Sequence, residues 1–226
     1  MLERACESNV MLSDEEQKAQ LAIRFQSVTK RFERRIVLRN LSLAVTEHQT
    51  LVVAGPNGSG KSTLLKLAAG LIRPSAGEIS ITVAGRRLNP SAARFAIGYI
   101  SPELALYNEL TAVENLTFFA TVRGLHLSHD ELAGLLSRVG LKGRGRDCVS
   151  DFSSGMRQRL KLACAVLHHP PILLFDEPTS YLDEEGAGLV QEILEKHRLL
   201  GVAMIATNEP REREWGTDVY WINRPI

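Results

Sequence analysis

A nine-residue run, GPNGSGKST (Gly55–Thr63), constrains this chain more than any other feature. It fits G-x-x-x-x-G-K-[ST] in full and has the setting the motif needs, the β-rich run TLVVA before it and the helical pattern KSTLLKLAAGLI after it. Gly55, Gly58 and Gly60 let the backbone turn tightly, so that successive N–H groups face phosphate oxygens. The following helix adds the positive end of its dipole. Lys61 can neutralise terminal phosphates, and the Ser62 hydroxyl can ligate Mg²⁺. A phosphate loop needs a carboxylate to complete a magnesium site, and PILLFDEP supplies one after four apolar residues. Asp176 would hold Mg²⁺ through water, and Glu177 would face the attacking water; the plainer alternative is that Asp176-Glu177-Pro178 opens a surface turn.

A strand that ends in a phosphate loop and passes into a helix belongs to an α/β core, and the rest of the chain fits one. LAIRFQSVTKRF and IVLRNLSLAV alternate as strands, GEISITV and RFAIGYIS read as two more, and Leu64, Leu67, Ala68 and Leu71 share one face of the helix after the loop. From about residue 103 to 168 the character turns helical, with TAVENLTFFATVRGL, SHDELAGLLSRVGL and SSGMRQRLKLACAVLHH; Ser128 and Glu131 form a candidate capping box. PILLFDE, DEEGAGLVQEILEKHRLL, GVAMIAT and TDVYWIN then alternate strand and helix, which predicts a mainly parallel sheet. Residues 1–20 are polar and read as an arm outside the core, with SDEEQKAQ helical in composition. A hydrophobic share of 44% supports a full core, and a net charge of +1 argues against a nucleic-acid binder, so Lys30, Arg31, Arg34 and Arg35 read as a solvated strand edge. No stretch reaches the length of a membrane span, and Glu3, Arg4 and Glu7 interrupt the place of a signal peptide. Cys6, Cys148 and Cys164 form no ligand or disulfide pattern, which fits a reducing compartment. His168-His169 at a helix end is read as a polar terminus rather than a metal site, and GRGR (Gly143–Arg146) as a basic loop.

GPNGSGKST, then FSSGMRQRL, then ILLFDEPTSYLD, in that order, resemble the nucleotide-binding subunit of ABC transporters from about residue 21 to the C-terminus. The resemblance implies a P-loop NTPase fold of class α/β, a three-layer core with an N-terminal antiparallel β subdomain and an inserted helical subdomain. It implies ATP and Mg²⁺ as ligands, with ATP contacts along Gly55, Pro56, Asn57, Gly58, Ser59, Gly60, Lys61, Ser62 and Thr63. Ser62 and Asp176 would hold the metal, and Glu177, Lys61 and Asn208 would act in hydrolysis. Phe32 falls where an aromatic stacks on adenine, unless it is an edge-strand core residue. Ser153, Ser154, Gly155 and Asp183 would contact the ATP held by the opposite protomer, although Ser153 and Asp183 also suit plain helix N-caps. The implied function is an ATP-hydrolysing, exporter-like subunit on the inner face of the cell membrane. It would pair as a homodimer or heterodimer and drive a separate permease, with no nucleic-acid partner. The helical lobe would dock the permease, and an exposed Phe in LTFFATVRGL would mark the interface. The chain stops soon after its last strand, which leaves no room for a large C-terminal regulatory domain.

Two positions depart from the family pattern. Pro102 stands where a Gln touches Mg²⁺ and the attacking water, and proline offers neither a side-chain ligand nor an N–H; Ser101 or Glu103 would have to substitute through a shifted loop. Asn208 stands where a His hydrogen-bonds the γ-phosphate; its amide can donate but cannot carry a proton or a charge, and Thr207 is the alternative donor. These departures imply slow turnover. The rival readings are a regulatory nucleotide-binding module that dimerises but hydrolyses little, and a soluble ATPase of the family outside transport.

Overall fold

A computed structural model describes residues 2–4 and 19–222. The chain opens with β1 (Leu2–Arg4), β2 (Ala22–Phe32), β3 (Arg35–Thr46) and β4 (Thr50–Ala54), then α1 (Lys61–Ala68), β5 (Ala76–Val83), β6 (Arg86–Arg87), α2 (Pro90–Phe95) and β7 (Ile97–Ile100). The helical stretch follows as α3 (Ala112–Val122), α4 (His129–Arg138), a 3₁₀ turn at Val149–Asp151 and α5 (Ser154–Val166). It closes with β8 (Ile172–Asp176), α6 (Glu184–Arg198), β9 (Val202–Thr207), α7 (Pro210–Arg213) and β10 (Asp218–Trp221).

Six strands form a parallel sheet in the order β1-β10-β4-β9-β8-β7, and four form an antiparallel sheet in the order β3-β2-β5-β6. The strands β4, β8 and β9 are buried along their whole length, which is why they read as apolar runs rather than as alternation. Alternate residues of these strands serve two cores. Leu51, Val53, Ile172, Leu174, Met204 and Ala206 face α1 and the antiparallel sheet. Val52, Ala54, Leu173, Phe175, Ala203 and Ile205 face α5, α6 and the helices of the lobe. The period-two pleat therefore produces three layers with α1 held between the two sheets.

Several sequence expectations shift here. RFAIGYIS is split, because Asn89 caps α2 through its side chain and Pro90 is preset for the first turn, so Arg94 and Phe95 end a helix. Leu71 does not continue the buried face of α1; the helix stops at Ala68 and Leu71 is exposed. The segment read as an arm contributes β1, paired with β10, and SDEEQKAQ lies outside the described residues except for Ala19 and Gln20. The box at Ser128 and Glu131 is present on α4, and Thr111 with Glu114 forms a second one on α3.

Candidate functional site

Register brings the sequence motifs to one edge of the parallel sheet. Ala54 pairs with Thr207 and Asp176 with Ala206, so the loop after β4, the pair Asp176-Glu177 and Asn208 leave the sheet side by side. Ligands in open parallel sheets bind beyond these carboxyl ends.

The loop Gly55–Gly60 is shaped by its glycines. Gly55 has φ 151°, and a Cβ there would lie 2.4 Å from the Ile222 carbonyl oxygen; Gly60 caps α1 with φ 112°. No side chain caps α1 and no acidic residue sits in its first turn, which leaves its first N–H groups suited to an anion. Lys61 is only 4% exposed, and its ammonium donates to the carbonyls of Gly55 (2.9 Å) and Pro56 (3.2 Å) and to Asn208 Oδ1 (2.6 Å). Burial pulls its pKa down, and the carboxylates of Glu177 and Asp176 act in the opposite direction. Asn208 Nδ2 in turn donates to Asn57 Oδ1.

Ser62 Oγ donates to Asp176 Oδ1 at 2.9 Å, and Tyr99 Oη approaches Asp176 Oδ2 at 3.5 Å. Burial pushes the Asp176 carboxyl above its ordinary range, against the Ser62 hydrogen bond. A hydroxyl and an under-compensated buried carboxylate are hard oxygen donors that fit Mg²⁺, which takes one or two protein ligands and completes its shell with phosphate and water. Among the described residues no group of three or more His, Cys, Asp or Glu forms a metal cage.

Glu177 has φ 50° and donates its N–H to the Ala206 carbonyl. Its carboxylate accepts from Ser180 Oγ at 3.4 Å and lines a cavity of about 550 Å³ with Asn57, Tyr181, Asp183, Asn208 and Arg211. Ser153 caps α5 by accepting from the Met156 N–H, and Ser154 opens that helix on the surface. The helix is tied to the loop after β8 rather than to the phosphate loop. Gln158 donates to the Pro178 carbonyl (3.1 Å), Arg159 pairs with Asp183 (2.8 Å), and a Cβ on Gly155 would sit 3.0 Å from the Tyr181 carbonyl oxygen. Asp183 also accepts from the Gly186 N–H as the cap of α6. Among the described residues no hydrogen bond joins Ser153–Gly155 to Gly55–Thr63.

Pro102 sits in a turn with its carbonyl held by Lys161 at 2.8 Å. Glu103 is engaged outward by Lys66 (2.7 Å), and Ser101 is buried, so Tyr99 is the side chain from this segment that reaches Asp176. Phe32 is 46% exposed at the end of β2, with the Lys30 ammonium 4.7 Å from its ring centre. Its register partner Arg35 donates to the Gly58 carbonyl (3.3 Å), which places the β2–β3 turn beside the phosphate loop.

A family model described as ABC transporter matches residues 38–180, more than half of the chain. The chain belongs to the ABC transporter family. Members of this ATP-binding family hydrolyse ATP. The lantibiotic transport ATP-binding protein SrtF of Streptococcus pyogenes is 33% identical over 186 residues, covering 82% of this chain and 79% of that protein. The linearmycin resistance ATP-binding protein LnrL of Bacillus subtilis (strain 168) is 32% identical over 193 residues, 83% of this chain, and this chain spans 61% of LnrL. A dimeric structure of MJ0796, a bacterial ABC transporter cassette, superposes with a TM-score of 0.80 at 24% identity, covering 89% of this chain and 94% of that one. The fold is that of an ABC cassette.

In this ABC cassette, three side chains near the site escaped sequence reasoning. Tyr99 lies inside a strand pattern, where its hydroxyl gives no signal. Gln158 sits within the motif that carries the family resemblance, yet its side chain is buried against the Pro178 carbonyl. Glu212, from the four-residue helix α7, accepts from the Thr179 N–H (3.2 Å) and hydroxyl and so braces the loop that follows Glu177. Only its place two residues after Pro210 in PRER marked it as a helix-opening residue.

Proposed function

We propose that this chain is the ATP-binding and ATP-hydrolysing subunit of an ABC exporter, driving a separate membrane subunit by closing as a dimer around ATP. The observation that carries the reading is the meeting of Lys61, Ser62, Asp176 and Glu177 at one sheet edge. Backbone N–H groups of the loop and of α1 would grip the phosphates, with Lys61 balancing their charge. Ser62 and Asp176 would hold Mg²⁺, which, when bound, offsets charge on the phosphate oxygens. Glu177 would orient and deprotonate the attacking water, from a cavity wide enough to admit it. Ser153, Ser154 and Gly155 open a helix tied to the Asp183 loop rather than to their own phosphate loop, so with Asp183 they would serve the ATP of a second cassette, either another copy or a paralogue.

Turnover is slow on this reading. Pro102 presents a carbonyl already taken by Lys161, and Asn208 cannot carry a proton. The names of SrtF and LnrL, transport of a lantibiotic and resistance to linearmycin, favour export of an antibiotic-type molecule. The membrane subunit would dock on a groove of about 410 Å³ between core and lobe, lined by Leu71, Phe95, Tyr99 and Val122, three of them exposed apolar residues. No helix of the described residues is long and apolar enough to cross a membrane; on this reading the pathway would belong to that partner, and this chain would sit on the inner membrane face. The contact of Asn208 with Lys61 favours a second reading, a regulatory module that binds nucleotide and hydrolyses little. Phosphate release with ATP and Mg²⁺ separates the two. The expected outcome is slow release that falls at least about 100-fold in Glu177→Gln with ATP binding kept; release that is absent or indifferent to Glu177 leaves the regulatory module.

A further inference from the structure

The Lys61 ammonium makes three contacts, and one of them is not part of the loop: Asn208 Oδ1 at 2.6 Å, the shortest of the set. A lysine can only donate, so the Asn208 amide must turn its oxygen toward Lys61 and its NH₂ away. That NH₂ donates to Asn57 Oδ1, which fixes the orientation from the other side. The Asn57 side chain belongs to the phosphate loop itself, so the three residues bridge the two sides of the place where the terminal phosphates would lie. With its oxygen on the lysine, Asn208 offers no donor there, contrary to the role its position implies.

We propose that Asn208, oriented by Asn57, competes with the terminal phosphates for Lys61 and thereby sets the nucleotide affinity of this cassette. The proposal rests on the reading of Gly55–Thr63 as the nucleotide site. A triphosphate entering the loop takes over the ammonium, and Asn208 is released from it. A protonated histidine at this position would have no acceptor to offer Lys61, whereas the asparagine amide keeps its oxygen at every pH. The sign of the effect is the opposite of that for a phosphate-binding residue: removing the side chain tightens binding.

The test is titration calorimetry of the full chain with ATP, ADP and AMP in EDTA, which removes any contribution from Ser62 and Asp176 through magnesium. Asn208→Ala and Asn57→Ala are each expected to lower the ATP dissociation constant about three- to ten-fold. The double variant is expected to add less than about two-fold, since both residues hold one contact. AMP, whose single phosphate stops short of Lys61, is expected to bind all four proteins alike. Thermal melting identifies any variant that fails to fold, and Asn57→Ala then carries the test alone. Weaker or unchanged ATP binding in the folded variants, additive effects, or an equal shift for AMP overturns the proposal. Wild-type protein that ignores ATP overturns the nucleotide-site reading and this proposal with it.

Discussion

A buried lysine, a buried carboxylate and a half-buried amide illustrate how single side chains are held in this molecule. Lys61 is fastened by two carbonyls and an amide oxygen, which is how a charged residue that is 4% exposed is tolerated. Glu212 is buried with one oxygen on Thr179 and its Oε2 without a partner among the described residues. Burial pushes its pKa above the ordinary carboxylate range and Glu209 adds to this, while hydrogen bonds from Thr179 and Thr207 pull it down. An acid raised in the folded state contributes stability that is complete below its unfolded pKa, about 4.3, and is lost as pH rises through the folded value. Glu212→Gln keeps an acceptor for Thr179 and removes that titration. Its melting temperature relative to wild type is expected to climb as pH rises above the unfolded value of about 4.3; a difference that stays flat with pH contradicts this. At this scale the sequence is legible where a residue type is dictated by chemistry, as at Lys61, Ser62 and Asp176. It is silent where the partner is remote in the chain. Asn208 meets Asn57 across 151 positions and Tyr99 meets Asp176 across 77, and no local pattern encodes either pairing.

Among the elements, caps and period decide what forms. The boxes at Thr111/Glu114 and Ser128/Glu131 satisfy the first N–H groups of α3 and α4, two helices that bury Leu116, Leu132, Leu135 and Leu136 in the core beneath the lobe. Ser128→Ala is expected to cost about 1 kcal/mol of unfolding free energy, read by denaturant titration, with the slope unchanged. A loss near zero would mean that tertiary packing alone fixes the start of α4. Elements with long, clean periods were legible in the sequence: β4, β8 and β9 as apolar runs, and α5 and α6 as helices. The short ones were not. The last two residues of the six-residue α2, Arg94 and Phe95, were absorbed into a strand pattern because Phe95 and Ile97 continue its alternation, and α7 has four residues, too few for a period to show. β1 is three residues long and owes its state to the ladder offered by β10.

On the scale of the whole molecule, one parallel sheet serves two cores and delivers three loops to a single edge. Its opposite faces take α1 with the antiparallel sheet and the lobe with α5 and α6. That division places the helix carrying Ser153–Gly155 across the sheet from α1, and bonds through Gln158 and Arg159 bind it to the loop of Asp183. On the proposed reading, the phosphate loop with its carboxylates and the helix opening at Ser153–Gly155 are two half-sites that a second cassette would join. The α/β class, the parallel sheet and the helical insertion were legible from strand and helix order, and the antiparallel sheet from the family resemblance. Which face each element covers was not, because that depends on pleat and register. Light scattering of Glu177→Gln with saturating ATP and magnesium tests the joining most directly. The expected result is a species with twice the mass of one chain that returns to one chain when ATP is removed; a mass that stays at one chain under saturation contradicts it.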